Sequence, residues 1–188
     1  MSYISNQHLV LSIYPTSRGY AFVLFEGPQS PYDWGVKEIR KKNKNERTLE
    51  SVQLLIERYR PDVLVIEDHT EKGSRRSSRI RRLYRMLIHL AKTEHIEVMR
   101  YSQNTVRTCF EPLGVRTKYE IAQAIARQIP AFAHRLPKLR KIWMSEDPRQ
   151  SLFDAAALGL VFYAYPKNTL KDALINSHCR HARGSGHP

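Results

Sequence analysis

The sequence predicts an α/β fold: a mixed five-stranded sheet, three antiparallel strands first and βα units afterwards, flanked by helices. Three observations predict it. The first third alternates short apolar, β-branched runs with Pro and Gly turns. From Thr48 the apolar spacing changes to three and four residues, and the continuous apolar run Val63-Leu64-Val65-Ile66 then stands between two helical patterns. At 188 residues, 41% of them hydrophobic, the chain fits one domain with a core of its own.

His8 to Tyr14 reads as the first strand, Pro15 to Arg18 as a turn and Gly19 to Phe25 as the second strand. Gly27 to Asp33 is the next connection, before a third strand from Trp34 to Ile39. The run Arg40-Lys41-Lys42-Asn43-Lys44-Asn45 is too charged to bury and is predicted as a solvated loop. Leu49, Val52, Leu55, Ile56 and Tyr59 then mark one face of a helix that Pro61 closes. Val63 to Ile66 has the pattern of a central strand covered on both faces. Ser78 to Ala91 follows as a helix with Ile80, Leu83, Met86, Leu87 and Leu90 on one side, and Glu97 to Tyr101 as the fifth strand. Thr117-Lys118-Tyr119-Glu120 has the form of a capping box and opens a helix through Gln128. Asp147-Pro148-Arg149-Gln150 repeats the device, so the last helix runs to about Tyr163. The domain is expected over residues 1–166 and a polar, basic tail over 167–188, loose from Ser177 onward.

Charge narrows the partner. With 31 Lys and Arg against 18 Asp and Glu, the formal charge is +13, and an acidic polymer is the most economical partner. Cys109 and Cys179 are too few for a disulfide framework or a zinc site, which fits a reducing cytoplasm. No apolar run approaches a spanning helix, and Met1-Ser2-Tyr3 does not open a signal segment.

Two carboxylates stand in apolar surroundings, Glu67 at the end of its strand and Asp154 between Leu152 and Leu160. A carboxylate stripped of hydration persists only where a cation, donor or proton offsets the cost, so each reads either as a metal ligand or as a partner of an arginine or backbone amides. Asp147 reads as a helix cap, and Asp68 points away from Glu67 by strand alternation. His69 returns to the Glu67 side but reads as an ordinary exposed or hydrogen-bonded side chain, and Asp33 lies too far away to assist. Arg75, Arg76, Arg79, Arg81, Arg82 and Arg85 meet no acidic residue between Gly73 and Lys92. At helical spacing Arg75, Arg79 and Arg82 share a face away from Ile80, Leu83 and Leu87, which suits contacts to a nucleic-acid backbone. Arg107, Arg116 and Lys118 extend that surface. Tyr20, Tyr84 and Tyr119 read as packing residues, with stacking on bases as the alternative.

Several segments, in order, resemble the RuvC-type Holliday junction resolvases of the ribonuclease H-like superfamily, over about Leu9 to Tyr165. Ile13-Tyr14-Pro15-Thr16-Ser17-Arg18 resembles that family's Ile-Asp-Pro-Gly-Ser-Arg turn, and Val65-Ile66-Glu67 its second acidic motif. Tyr101 to Phe110 and Thr117-Lys118 resemble the stretch with basic residues near the scissile phosphate, and Ser151 to Leu158 the closing Asp-x-x-Asp-Ala motif. The resemblance implies a ribonuclease H-like fold, Glu67 and Asp154 as catalytic metal ligands for Mg²⁺ or Mn²⁺, and Lys118 beside the reacting phosphate. It also implies branched DNA as partner, met near the scissile phosphate by Arg107 and Lys118, and a homodimer through the Ser78 to Ala91 helix; the charge run adds Arg75, Arg76, Arg79 and Arg82 as the expected backbone contacts. Tyr14 and Ser151 stand where the family has Asp, leaving two of four carboxylates. The expected function is binding of branched or structured DNA with phosphodiester hydrolysis weakened or lost. An active metal-dependent endonuclease, and a scaffold for an acidic partner, remain the alternatives.

Overall fold

Alternation in the first strand sets the two faces of the molecule. In β1 (Val10–Pro15), Val10 and Tyr14 join one apolar cluster while Leu11 and Ile13 join another across the sheet. β2 (Gly19–Gly27) pairs antiparallel with β1, and β3 (Ser30–Glu38) antiparallel with β2. β4 (Val63–Glu67) pairs parallel with β1 on its free side, and β5 (Glu97–Tyr101) parallel with β4. The sheet order β3-β2-β1-β4-β5 is the mixed five-stranded arrangement that the sequence predicts. The computed structural model describes residues 8–40, 42–70, 76–139 and 147–164. The predicted tail therefore lies outside the described residues.

α1 (Lys44–Tyr59) and α2 (Ser78–Thr93) cover the Leu11 and Ile13 face, burying Val52, Ile56, Leu83 and Leu87. α3 (Gln103–Phe110), α4 (Lys118–Gln128) and α5 (Gln150–Ala164) cover the Tyr14 face. α5 is apolar nearly all round, as a helix enclosed by its own fold must be. Between Gln150 and Val161 only Asp154 is not fully buried. The Ser12 hydroxyl lies 2.7 Å from the Ala155 carbonyl and 3.2 Å from that of Val23, so the polar group beneath α5 is satisfied.

Several boundaries differ from expectation. β3 begins at Ser30 because Gly27 and Ser30 pair across a two-residue loop, where the sequence suggested a longer connection to Asp33. α1 begins at Lys44, inside the charged run, because Asn45 is buried and its side-chain amide donates to the Arg79 carbonyl at 3.0 Å. α3 was not predicted. The Ser102 hydroxyl caps it by accepting from the Thr105 amide at 3.0 Å, and Phe110 anchors it in the core. The capping box at Thr117 is formed in both directions. At Asp147 the carboxylate accepts from the Arg149 amide at 2.9 Å, leading into α5 as expected of a cap.

The contact of α5 with the sheet has no spare room at Gly159, where an added Cβ would come within 2.6 Å of the Phe25 ring and 3.2 Å of the Ser12 hydroxyl oxygen. Gly159→Val is therefore expected to lower stability by about 1–3 kcal/mol through overpacking, read as a shifted urea midpoint. An unchanged midpoint would show that Phe25 swings aside without cost.

Candidate functional site

Parallel pairing of β1 and β4 brings their carboxyl ends together, the position at which α/β sheets offer side chains to a ligand. Ser12 is level with Val65 and Ile13 with Ile66, so Tyr14, next to last in β1, and Glu67, last in β4, lie side by side on the same face as α5. Asp154 reaches that edge from the second turn of α5, and Lys118 from the first residue of α4. Tyr14, Glu67, Lys118 and Asp154 line one cavity of about 40 Å³, together with Gln103 and Arg107. That volume holds water molecules rather than a substrate.

Each carboxylate in the cavity is held by a cation. Glu67 is 3% exposed. Its Oε2 accepts from Arg76 through Nε at 2.7 Å and also through Nη2, and from the Tyr84 hydroxyl at 2.9 Å; its Oε1 accepts from Gln103 Nε2 at 3.0 Å. Asp154 accepts from Lys118 Nζ at 2.9 Å. Lys118 also donates to the Tyr14 hydroxyl at 3.2 Å. The Tyr14 ring lies 4.4 Å from the Arg76 guanidinium carbon and 5.4 Å from Lys118 Nζ, both within cation–π range.

Burial pushes the Tyr14 phenol up to about 12, with the negative charge of Asp154 adding to it and Lys118 and Arg76 opposing. Burial also raises Tyr84 well above its usual range, helped by Glu67. Burial works against the charge of Arg76, but Tyr84, Tyr14 and Glu67 more than offset it, so the guanidinium is held charged. The outcome is a neutral phenol flanked by two satisfied ion pairs.

This donor set does not fit a pair of divalent ions. Such ions, about 4 Å apart, require several anionic oxygens to offset their mutual repulsion. Here Tyr14 is protonated, and the Ser151 hydroxyl turns back to donate to the Pro148 carbonyl at 2.6 Å. The two carboxylates are already engaged by Arg76 and Lys118. Among the described residues no group of three or more His, Cys, Asp and Glu is placed to hold a metal ion.

The arginines divide by position in a way their spacing hides. Arg76 folds inward onto Glu67, although the sequence offered no local acid for it. Arg79 is half-buried and donates to the Asn45 side-chain oxygen at 2.9 Å and the Thr16 carbonyl at 2.8 Å, so it does not share an open face with Arg82. Arg82 is exposed and lies 3.5 Å from Glu46; Arg107 is exposed at the cavity rim. Arg75 lies outside the described residues. His69 is buried and stacks on Tyr84 with ring centroids 4.9 Å apart, contrary to the exposed or hydrogen-bonded role expected of it. Its Nδ1 has no hydrogen-bond partner among the described residues. Tyr20 and Tyr84 are core residues, bonded to Ser51 and Glu67, and so belong to packing rather than stacking. Asp68 turns to Thr70 and Asp33 accepts from Tyr59, both away from the cavity. Gln103 was not among the residues the sequence singled out. Its signal was the Ser102 cap following a strand whose last residue, Tyr101, pairs with Glu67.

No protein-family profile matches the chain, and no curated protein does. Solved structures do. The chain is similar to Thermus thermophilus RuvC in complex with a Holliday junction substrate at 15% identity and TM-score 0.60, covering 85% of this chain and 95% of that one. It is similar to the yeast mitochondrial Holliday junction resolvase at 15% identity and TM-score 0.55, covering 96% and 87%. A fowlpox virus resolvase with its junction DNA matches at 16% identity and TM-score 0.50, covering 82% and 97%. The chain thus has the ribonuclease H-like fold of RuvC and related resolvases. No helix among the described residues is long and apolar enough to cross a membrane.

Removing one partner of a buried ion pair leaves the other uncompensated. Arg76→Met is expected to destabilise the fold by about 3 kcal/mol, with much of the loss recovered in Arg76→Met/Glu67→Gln, as read by urea denaturation. A stable single variant would mean that Tyr84 and Gln103 suffice to hold the charge. A second outcome concerns pH. The folded pKa of Tyr14 lies above its unfolded value of 10.0, so its contribution is complete below pH 10 and is lost as pH rises towards 12. Tyr14→Phe should therefore lose about 1 kcal/mol less than wild type between pH 9 and pH 11. Parallel stability curves over that range would contradict the assignment.

Proposed function

We propose that the chain binds branched or structured DNA and that phosphodiester hydrolysis at its carboxylate pair is weakened or lost. One observation carries the second half: Arg76 and Lys118 already neutralise Glu67 and Asp154, and the two positions where the family has Asp hold a protonated phenol and a serine hydroxyl committed to the Pro148 carbonyl. Side-chain cations cannot lower the pKa of a bound water as a metal ion does, so the site can attract a phosphate without supplying a nucleophile. Binding is supported by the charge of +13, by exposed Arg82, Arg85 and Arg107, and by the fold shared with resolvases described with junction DNA. The reading assigns a strand phosphate to Lys118, which lines the cavity and is bonded to both Tyr14 and Asp154.

Purified protein mixed with a four-way junction or a matched linear duplex, in Mg²⁺, Mn²⁺ or EDTA, tests binding and cleavage together. The expected result is tighter binding of the junction in all three conditions, with a log–log salt slope of roughly 0.9 per phosphate neutralised, and no cuts. Metal-dependent cuts that disappear in Glu67→Gln and Asp154→Asn would establish an active endonuclease instead. Failure to bind either DNA at low salt would remove the nucleic-acid reading altogether.

A further inference from the structure

A second concavity adjoins the small cavity. It is an open cleft of about 510 Å³, and it shares only Tyr14 and Asp154 with its neighbour. The turn after β1 forms one wall, the end of β3 another, and the starts of α2 and α5 close it. Its charge balance is uneven. Of its carboxylates, Glu38 is paired with Arg40, Asp147 with Arg149 and Asp154 with Lys118. Arg18, Lys37 and Arg79 have no carboxylate partner among the described residues.

Arg79 is the best placed of the three. Asn45 is 5% exposed; its side chain both accepts from Arg79 Nη1 and donates to the Arg79 carbonyl, and the Thr16 carbonyl fixes Nη2. All of these partners are neutral. They orient the guanidinium towards the cleft without discharging it, which is the state of a preorganised anion donor. Arg18 and Lys37 are held at the mouth by the hairpin: the Ile39 amide donates to the Arg18 carbonyl at 2.7 Å, and an added Cβ on Gly19 would meet the Lys37 carbonyl oxygen at 1.9 Å. Only glycine permits so close an approach. Between the cations Pro15, Val36 and Pro148 supply apolar wall, beside the hydroxyl-bearing Thr16, Ser17, Ser77 and Ser151.

We infer that this cleft seats one unpaired nucleotide of a nucleic-acid strand, its phosphate on Arg79, Arg18 and Lys37 and its sugar and base against the apolar walls. The volume lies within the roughly 300–1,000 Å³ of small-ligand sites and admits one strand but no duplex. Its junction with the small cavity at Tyr14 and Asp154 lets a strand pass from one to the other. The inference rests on the nucleic-acid reading above and adds a preference for unpaired DNA.

Fluorescence anisotropy with the full chain tests it, using a blunt four-way junction and the same junction carrying a single-stranded thymidine tail. Val36→Trp fills the cleft from an exposed position without changing charge; Arg18→Ala/Lys37→Ala removes the charge at its mouth without touching the core. The tail is expected to raise wild-type affinity about tenfold, as one well-made charged contact would. Both variants should lose that gain while binding the blunt junction nearly as wild type does. The double variant should also lower the salt slope for the tail by roughly 0.7 for each phosphate contact removed. A tail that adds nothing, or adds the same in all three proteins, overturns the cleft assignment and leaves junction binding standing. Binding of neither probe overturns both. Competition by poly-glutamate as effective as that by oligothymidine would assign the cleft to an acidic peptide instead. If Val36→Trp does not fold, the double variant alone separates these outcomes.

Discussion

A buried carboxylate at the end of a central strand must be neutralised, and much of the architecture around Glu67 follows from that requirement. The charge cannot hydrate at 3% exposure. It is met by Arg76 from the approach to α2, Tyr84 from the middle of α2 and Gln103 from the first turn of α3. Arg76 then lies over the ring of Tyr14 at the end of β1. One acid thereby ties together two strands and two helices on opposite sides of the sheet. The same logic repeats on a smaller scale at Asp154, whose partner Lys118 also reaches Tyr14. Tyr14 is where the two pairs meet.

That meeting point decides the chemistry. A third carboxylate, at position 14, would sit beside Glu67 and Asp154 and would need more positive charge than Arg76 and Lys118 provide. A phenol needs none, and burial keeps it protonated. Neutral Tyr14 and internal cations are therefore mutually consistent: together they leave the two carboxylates paired and add no third charge.

How far the sequence could be read depended on whether a feature was local. β5 and α4 were bounded correctly because a short strand-like run, or a capping box, is written within a few residues. Tyr14 and Ser151 were legible as departures only through the resemblance to the resolvases. The beginning of α1 was not, because Asn45 is made helical by a partner on α2, and α3 was missed because its cap and apolar anchors span barely two turns. The arginines were the hardest. Six in succession look like one solvated face, yet the pairing of Arg76 with Glu67 and of Arg79 with Asn45 and Thr16 joins segments that only the fold brings together. His69 failed likewise, since a stacking partner on α2 cannot be read from β4.

The two inward arginines also separate two tasks that a metal centre would combine. Metal ions attract the phosphate and activate water at once, so their affinity for the strand varies with the free ion concentration. A tethered cation holds its place at any ion concentration and does not depart with the product. It has no exchangeable ligand position from which to present hydroxide. Arg76 is spent on Glu67, while Arg79 is held by neutral groups among the described residues and, on the proposed reading, meets an incoming anion. The difference between them is the single carboxylate within reach of one and not the other. On the function proposed above, a site assembled in this way holds a strand and does not cut it.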